Sequence, residues 1–427
     1  MITPIFYFFG FPKVYLFFFA LPAESLIFAY RNNHSKKNTA LKILHTSDWH
    51  LGHTLHGFDR TEEQTALLAQ MSRIVSENKP DVFLLCGDVF HTSQPSAAIQ
   101  TQWVNALAKM HEAQPGMTIV VTAGNHDSGT KHDIFRTPWR ALNVHTLGNL
   151  DKEHPDEHII EVPGAGYVVA VPYCHERSLP EGFFQLLLDR VAERNHENLP
   201  VVMMAHTTVH GCDFTGHEHA TEAIVGGIDA LKLDALGEGY DYLALGHIHH
   251  AQFVHSGKHN VRYSGSPLPV SFDECYSHSV SMVEIEKHGD PPKVTTIEID
   301  NPHPLVTLPT TGFASWEDAK GLLRDYPDDL PAYIRLNVAV DGFLPAEASA
   351  EAEGLTQGKQ CRFCCFNMQR KESGQAEAKV LTVQEFQASD PIEIVKHYLE
   401  DSGLDCDQEL EAVFKEALEA VQEDARK

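Results

Sequence analysis

A chain of 427 residues, 43% hydrophobic and 22% charged, has the composition of a soluble globular protein with room for two domains, which excludes the disordered and fibrous classes. Its formal net charge of −26 excludes a protein that grips nucleic acid by bulk electrostatics, so a polyanionic substrate would need bound cations or a basic partner. Eight cysteines lie scattered without a disulfide framework, which points to a reducing, cytoplasmic compartment, while 27 histidines supply metal-ligand chemistry in quantity.

Residues 1–40 stand apart from the rest. Their opening, MITPIFYFFGFPKVYLFFFALPAESLIFAY, is Phe-rich, broken by Pro4, Pro12, Pro22 and Lys13, and followed by the basic RNNHSKK. A signal peptide carries its positive charge ahead of the apolar stretch, and the unbroken apolar span from Val14 to Leu21 is short for a membrane crossing. The segment reads first as an apolar extension that is not native, second as an anchor and third as a signal. No membrane contact is expected of the protein.

From Leu41 strand and helix patterns alternate. LKILHTS (41–47) predicts a strand, and Leu67, Leu68, Met71, Ile74 and Val75 at helical spacing predict a helix over 61–78. DVFLLCGD (81–88) predicts a second, buried strand, a helix follows near 96–113, and TIVVTAGNHD (118–127) predicts a third strand. Further strands are expected at YVVAVPY (167–173), VVMMAHT (201–207) and YLALGHI (242–248), with a helix near 181–195. NVRYSGSP (260–267) and SVSMVEIEK (279–287) complete the sheet system. This alternation indicates an α/β domain, whose ligand site lies beyond the carboxyl ends of its strands.

KHGDPPK (287–293), rich in Gly and Pro, predicts a domain boundary. Beyond it KVTTIEID (293–300), a helix near 315–325 and YIRLNVAV (333–340) predict a small α+β domain, and residues 346–380 read as polar loop. Asp390 as N-cap with Pro391 opens a C-terminal helix, and Leu410, Val413, Phe414, Leu418 and Val421 line one face of a second over 407–425.

Polar residues collect where the apolar runs end. The first run ends in Asp48 and His50, the second in Asp88 and His91, the third in Asn125, His126 and Asp127. VVMMAHT ends in His206, and GHIHH supplies His247 and His249, which share one face of an extended chain while His250 takes the other. Singly, each has an ordinary explanation as a turn former, a cap or a satisfied core histidine. Together they make a mixed His/Asp/Asn donor set, suited to Mn²⁺, Fe²⁺ or Zn²⁺ and unlike a cysteine-built structural zinc site. Eight ligand atoms with one bridging carboxylate match two metals, roughly 3.5–4 Å apart, the usual apparatus of phosphate-ester hydrolysis.

DWHLG, GDVFH, GNHD, the histidine of AHT and GHIHH, in that order, resemble the motifs of the calcineurin-like metallophosphoesterases. DWHLG, and a histidine three residues after Asp88, resemble that family's branch of DNA break-repair nucleases. The resemblance covers residues 41 to about 290, and the remainder by layout only. It implies a metallophosphoesterase β-sandwich flanked by helices, with a small α+β capping domain and C-terminal helices. The division would be 1–40 extension, 41–290 nuclease domain, 291–385 capping domain and 386–427 helices that dock an ATPase partner. One metal would be held by Asp48, His50, Asp88 and His249, the other by Asp88, Asn125, His206 and His247, with Mn²⁺ as the expected ion. By the same resemblance His126 is the general acid, His91 orients the nucleophile or His126, and Asp127 supports His126 by a hydrogen bond. His53, His56, His250 and Asp59 lie near the site without an assigned role.

Three stretches elsewhere invite other readings. CRFCCF (361–366) supplies three thiols and no neighbouring pair to complete a tetrahedral site, so ordinary reduced cysteines are expected. RTPWR (136–140) lies in a region the family uses for substrate approach and is a candidate DNA contact. Residues 341–427 contain nine Lys+Arg against nineteen Asp+Glu, a net of −10, so their paired helices suit protein docking and not a grip on DNA. The expectation is a dinuclear, Mn²⁺-dependent DNA exonuclease and endonuclease, homodimeric within its complex, working with an SMC-like ATPase on DNA ends and hairpins. The alternatives are a stand-alone metallophosphoesterase acting on small phosphodiesters and a metal-bearing scaffold without catalysis.

Overall fold

The computed structural model describes residues 40–216, 230–254, 259–370 and residue 414; the N-terminal extension and, but for residue 414, the C-terminal helices lie outside them. In chain order the first elements are β1 (Leu41–Thr46), the hairpin β2 (Thr54–Leu55) and β3 (Phe58–Asp59), and α1 (Thr61–Asn78). β4 (Val82–Cys86), α2 (Ala97–Ala113), β5 (Thr118–Thr122), α3 (Gly129–Ile134), α4 (Arg136–Arg140) and β6 (Val144–Leu147) follow. Next come β7 (Ile159–Val162), β8 (Gly166–Val171), α5 (Phe183–Arg194), β9 (Val201–His206), β10 (Tyr242–Gly246), β11 (Gln252–Phe253) and β12 (Val261–Tyr263). β13 (Ser279–Ile285), β14 (Lys293–Glu298), β15 (Leu305–Leu308), α6 (Trp316–Asp325), β16 (Ala332–Val340), α7 (Ala348–Thr356) and β17 (Cys361–Arg370) complete the series.

Two six-stranded sheets carry the site, ordered β14-β13-β1-β4-β5-β6 and β11-β12-β10-β9-β8-β7. Strand pairing is parallel through β1-β4-β5-β6 and through β12-β10-β9-β8, with antiparallel pairs at the edges. The runs VFLLC and VVMMAH are apolar at nearly every position because both faces are covered. Val82, Leu84 and Cys86 meet Val202, Met204 and Ala244 between the two sheets. Phe83 and Leu85 point the other way, onto Leu67, Met71 and Ile74 of α1 and Leu107 of α2. Met203, Leu243 and Leu245 pack outward on Leu187 and Val191 of α5. The result is a β-sandwich flanked by helices, and each fully buried side chain of this size stabilises it by about 1.5–3 kcal/mol.

A third sheet, β15-β16-β17, is parallel throughout and carries its own core of Leu323, Ile334, Leu336, Val338, Ala352 and Phe363. Two expectations change here. Residues 348–370, read from sequence as loop, form a helix and a strand: α7 buries only Ala348 and Ala352, and β17 hides Cys361 and Phe363 while leaving its second half outside. One-sided burial needs few apolar residues, so the composition looked loop-like. KVTTIEID, expected in the smaller domain, instead pairs antiparallel with β13 at the edge of the first sheet. KHGDPPK is therefore a turn between neighbouring strands; tight turns and linkers use the same residues.

Candidate metal centre

The strand ends turn sharply at the positions that carry donors. Asp48 (φ 54), His50 (φ 44), Asp88 (φ 51) and His247 (φ 96) are half of the eight non-glycine residues with positive φ among the described residues. Such backbone is costly for these side chains and persists only where surrounding contacts enforce it, typically at functional sites. The enforcement is visible. Asp48 N–H donates to the Gly87 carbonyl and His50 N–H to the Asp88 carbonyl, each at 3.0 Å. Between them the buried Trp49 packs edge-on to Phe83 and Trp103 and donates its indole N–H to Thr46 Oγ1 at 2.9 Å. With Trp49 anchored in the helix-side core, its two neighbours face the opposite way.

Glycines make room for the ring that follows. A Cβ on Gly87 would overlap the His206 imidazole, and one on Gly124 would overlap the Asp88 carboxylate. Asp88 Oδ1 accepts the His126 N–H at 2.9 Å. Its Oδ2 lies 3.8 Å from His50 Nε2 and 3.5 Å from His206 Nε2. His50 Nε2 and His249 Nε2 approach to 3.2 Å. Asn125 Oδ1 lies 3.0 Å from His206 Nε2 and 3.1 Å from His247 Nδ1, and the Asp48 carboxylate accepts the His247 N–H at 3.1 Å. Donor atoms fall into three compact groups among the described residues: Asp48, His50 and His249; Asp48, Asp88 and His206; and His50 with His91 and His126. All seven expected ligands are thus brought to one place.

The donor chemistry of this cluster fits divalent metal. His206 Nδ1 donates to the Cys86 carbonyl at 2.8 Å, and His249 Nδ1 donates to Glu274 Oε1 at 3.0 Å. In the neutral rings each Nε2 is then a lone pair, directed for His206 toward Asn125 Oδ1 and Asp88 Oδ2 and for His249 toward His50 Nε2, whose own proton position the tautomer decides. At His206 that lone pair faces two oxygen acceptors, an arrangement that a cation or a ring proton would relieve. Without metal, protons take that place. Burial alone would lower His206, but the Asp88 and Asp48 carboxylates outweigh it and lift its pKa to about 9. For His249 burial is likewise overcome, by Glu274, Asp48 and Asp88, again to about 9. His50 goes the other way: burial, then the imidazoles of His249, His126 and His91, hold it well below the usual histidine range. Burial raises the Asp48 carboxyl, opposed by His206 and His249.

His126 and His91 sit beside the cluster. Their rings stack with centroids 5.5 Å apart and 22° between planes, and His126 meets His50 edge-on at 4.9 Å. The expected link from Asp127 to His126 is absent. Instead the Asp127 side chain is buried and accepts N–H groups from Val89, Phe90 and Gly124, with His132 Nε2 3.6 Å away. Three nearby amides and His132 engage the carboxylate, so it ties the loops after β4 and β5 together in place of a bond to His126. The even spacing of His247 and His249 also fails as an explanation, because β10 ends at Gly246 and the left-handed backbone at His247 breaks the alternation. His250 turns away, stacking on Tyr276 with Asp213 3.3 Å from its Nδ1. In RTPWR, Arg136 and Arg140 pair with Glu157.

Two supports escaped the sequence. Glu274 orients His249, and also accepts from Ser266 Oγ at 3.2 Å and the Val270 N–H at 3.2 Å. The Cys86 carbonyl orients His206. Glu274 lies 25 residues from its partner in an unremarkable SFDECYS, and a backbone carbonyl has no sequence signal at all.

Comparison with known proteins supplies the family. Residues 41–251 match the calcineurin-like phosphoesterase family. The chain is 33% identical over 302 residues to the SbcD component of the SbcCD nuclease of Rhodobacter capsulatus, covering 64% of this chain and 73% of the relative. It is 28% identical over 413 residues to the SbcD component of Bacillus subtilis, covering 91% and 100%, and 28% identical over 331 residues to that of Escherichia coli, covering 71% and 79%.

Proposed function

The chain belongs to the SbcD proteins of the calcineurin-like phosphoesterase family, and from that premise we propose that it is a Mn²⁺-dependent DNA nuclease, exonuclease on duplex ends and endonuclease on single strands and hairpins. It acts with an SbcC-like ATPase, as a homodimer within that complex, in the cytoplasm, in DNA repair and recombination. The observation that carries the reading is the Asp88 carboxylate: one buried oxygen, Oδ2, lies within 3.8 Å of His50 Nε2 and 3.5 Å of His206 Nε2. A carboxylate so flanked would be shared by the two ligand sets. Asp48, His50, Asp88 and His249 would hold one, and Asp88, Asn125, His206 and His247 the other. When bound, the pair supplies Lewis acidity that acidifies water and neutralises phosphoryl charge.

The protein's own groups supply the rest. His126 Nδ1 is tied to the His91 carbonyl at 3.0 Å, so Nε2 is the nitrogen that can carry a proton to a leaving oxygen. His91, stacked on that ring, positions it. The net charge of −26 gives DNA no bulk attraction, which supports a basic partner surface on the ATPase. The test is Mn²⁺-dependent cleavage of hairpin and linear duplex DNA by the full chain, with and without the ATPase. Hydrolysis of small phosphodiesters with DNA left intact under both conditions would sink the nuclease reading.

A further inference from the structure

His53 lies outside the ligand set but inside the same turn of chain. Its N–H donates to the His50 carbonyl at 2.9 Å, and its ring stands edge-on to His91 with centroids 4.6 Å apart. Nδ1 lies 3.3 Å from Arg60 Nη1. A guanidinium only donates, so Nδ1 is the acceptor and the proton of the neutral ring sits on Nε2. That Nε2–H has no hydrogen-bond acceptor among the described residues. His53 belongs to the wall of a cleft of about 440 Å³, between the β2-β3 hairpin, the loop at 270–273 and the third sheet.

Arg60 is itself immobilised. Its side chain is 2% exposed, Nη1 also donates to the Pro269 carbonyl at 2.5 Å, and Glu63 lies 3.9 Å from Nε. Glu63 in turn faces His303 Nδ1 at 3.6 Å. The cleft's own cation, Arg335, is occupied by Asp273 at 2.7 Å and the Phe272 carbonyl at 3.1 Å. Thr54, His56, Ser271 and Asn367 also line the cleft, and among its polar groups His53 is the one whose ring touches His91, one imidazole removed from His126.

We propose that His53 donates a hydrogen bond from Nε2 to a non-bridging oxygen of the phosphodiester next to the scissile one, in the strand that occupies this cleft, and that Arg60 is the residue positioning it. The inference rests on the nuclease reading above. It places the neighbouring nucleotide of the substrate strand between the hairpin and the third sheet.

The test uses the full chain loaded with Mn²⁺ and a short single-stranded oligonucleotide. His53→Phe keeps a ring but removes the donor, and should raise KM about tenfold, the scale of one hydrogen bond to a charged group, while kcat changes much less. His53→Gln restores an N–H and should recover most of that loss. If oligonucleotides are cut but His53→Phe leaves KM where it was, or His53→Gln fails to restore it, this inference alone is overturned. If the unaltered protein hydrolyses bis(p-nitrophenyl) phosphate and cuts no oligonucleotide, the nuclease reading falls and this inference with it.

Discussion

The carbonyl of His91 accepts the Nδ1–H of His126 at 3.0 Å, and the two imidazoles stack 5.5 Å apart. One residue thus fixes both the tautomer and the plane of the other, leaving His126 Nε2 as the nitrogen that does not engage that carbonyl. Replacing His126 with Asn removes the proton-carrying nitrogen without touching a ligand. His126→Asn should lower kcat on DNA by roughly 10²–10⁴-fold, the usual contribution of a general acid, with two metals per chain still bound. Kinetics paired with metal analysis decide it; near-normal turnover would remove His126 from the mechanism.

Glu274 holds His249 from behind at 3.0 Å and is buried with it. Such a carboxylate fixes the ring's orientation and raises its basicity toward metal. Glu274→Gln should weaken Mn²⁺ binding about 10–100-fold. The readout is the Mn²⁺ concentration for half-maximal activity together with calorimetric titration. An unchanged affinity would reduce Glu274 to a loop anchor.

The pKa of His206 and that of His249 are each raised to about 9 in the metal-free protein, against an ordinary 6.5. Below pH 6.5 folded and unfolded chains both carry these protons, and the stabilisation is fully present. Between 6.5 and 9 only the folded chain holds them, and the advantage disappears as pH rises through 9. Chelator-treated protein should accordingly lose Tm from pH 6.5 to 9. Mn²⁺-loaded protein should hold or gain over the same range, since metal and protons compete for the same nitrogens. Scanning fluorimetry on the two forms checks this, and a metal-free Tm that climbs with pH would contradict it.

Gly87 has φ 84, and a Cβ there would overlap the His206 ring and crowd Gly124. Both the backbone and the space are therefore reserved for glycine. Gly87→Ala should lose at least one metal and destabilise the chain by about 1–3 kcal/mol, the cost of a strained residue at a crowded site. Metal content and denaturant unfolding measure the two effects separately.

Much of this was legible because burial and strand periodicity write themselves into composition. VFLLC and VVMMAH could only be strands covered on both faces, and the donors at their ends announced a site by repetition. Where the sequence misled, one physical feature was shared by two structures. Gly and Pro serve turns as well as linkers, so the β13-β14 turn read as a boundary. Half-buried elements such as α7 and β17 carry too few apolar residues to stand out. Alternation along GHIHH assumed an extended chain, and the strand ends before its first histidine.

The residues alone determined which side chains stand at strand ends, and the packing of two largely parallel sheets brings the ends of β1, β4 and β5 together with those of β9 and β10. Only the tertiary structure decided how those side chains are held. Glu274 behind His249, the Cys86 carbonyl behind His206, Asp127 on three backbone amides and Arg60 between His53 and Pro269 all join positions the chain order does not pair. A hydrogen bond is set by distance and direction in space, and neither is recorded in the order of residues.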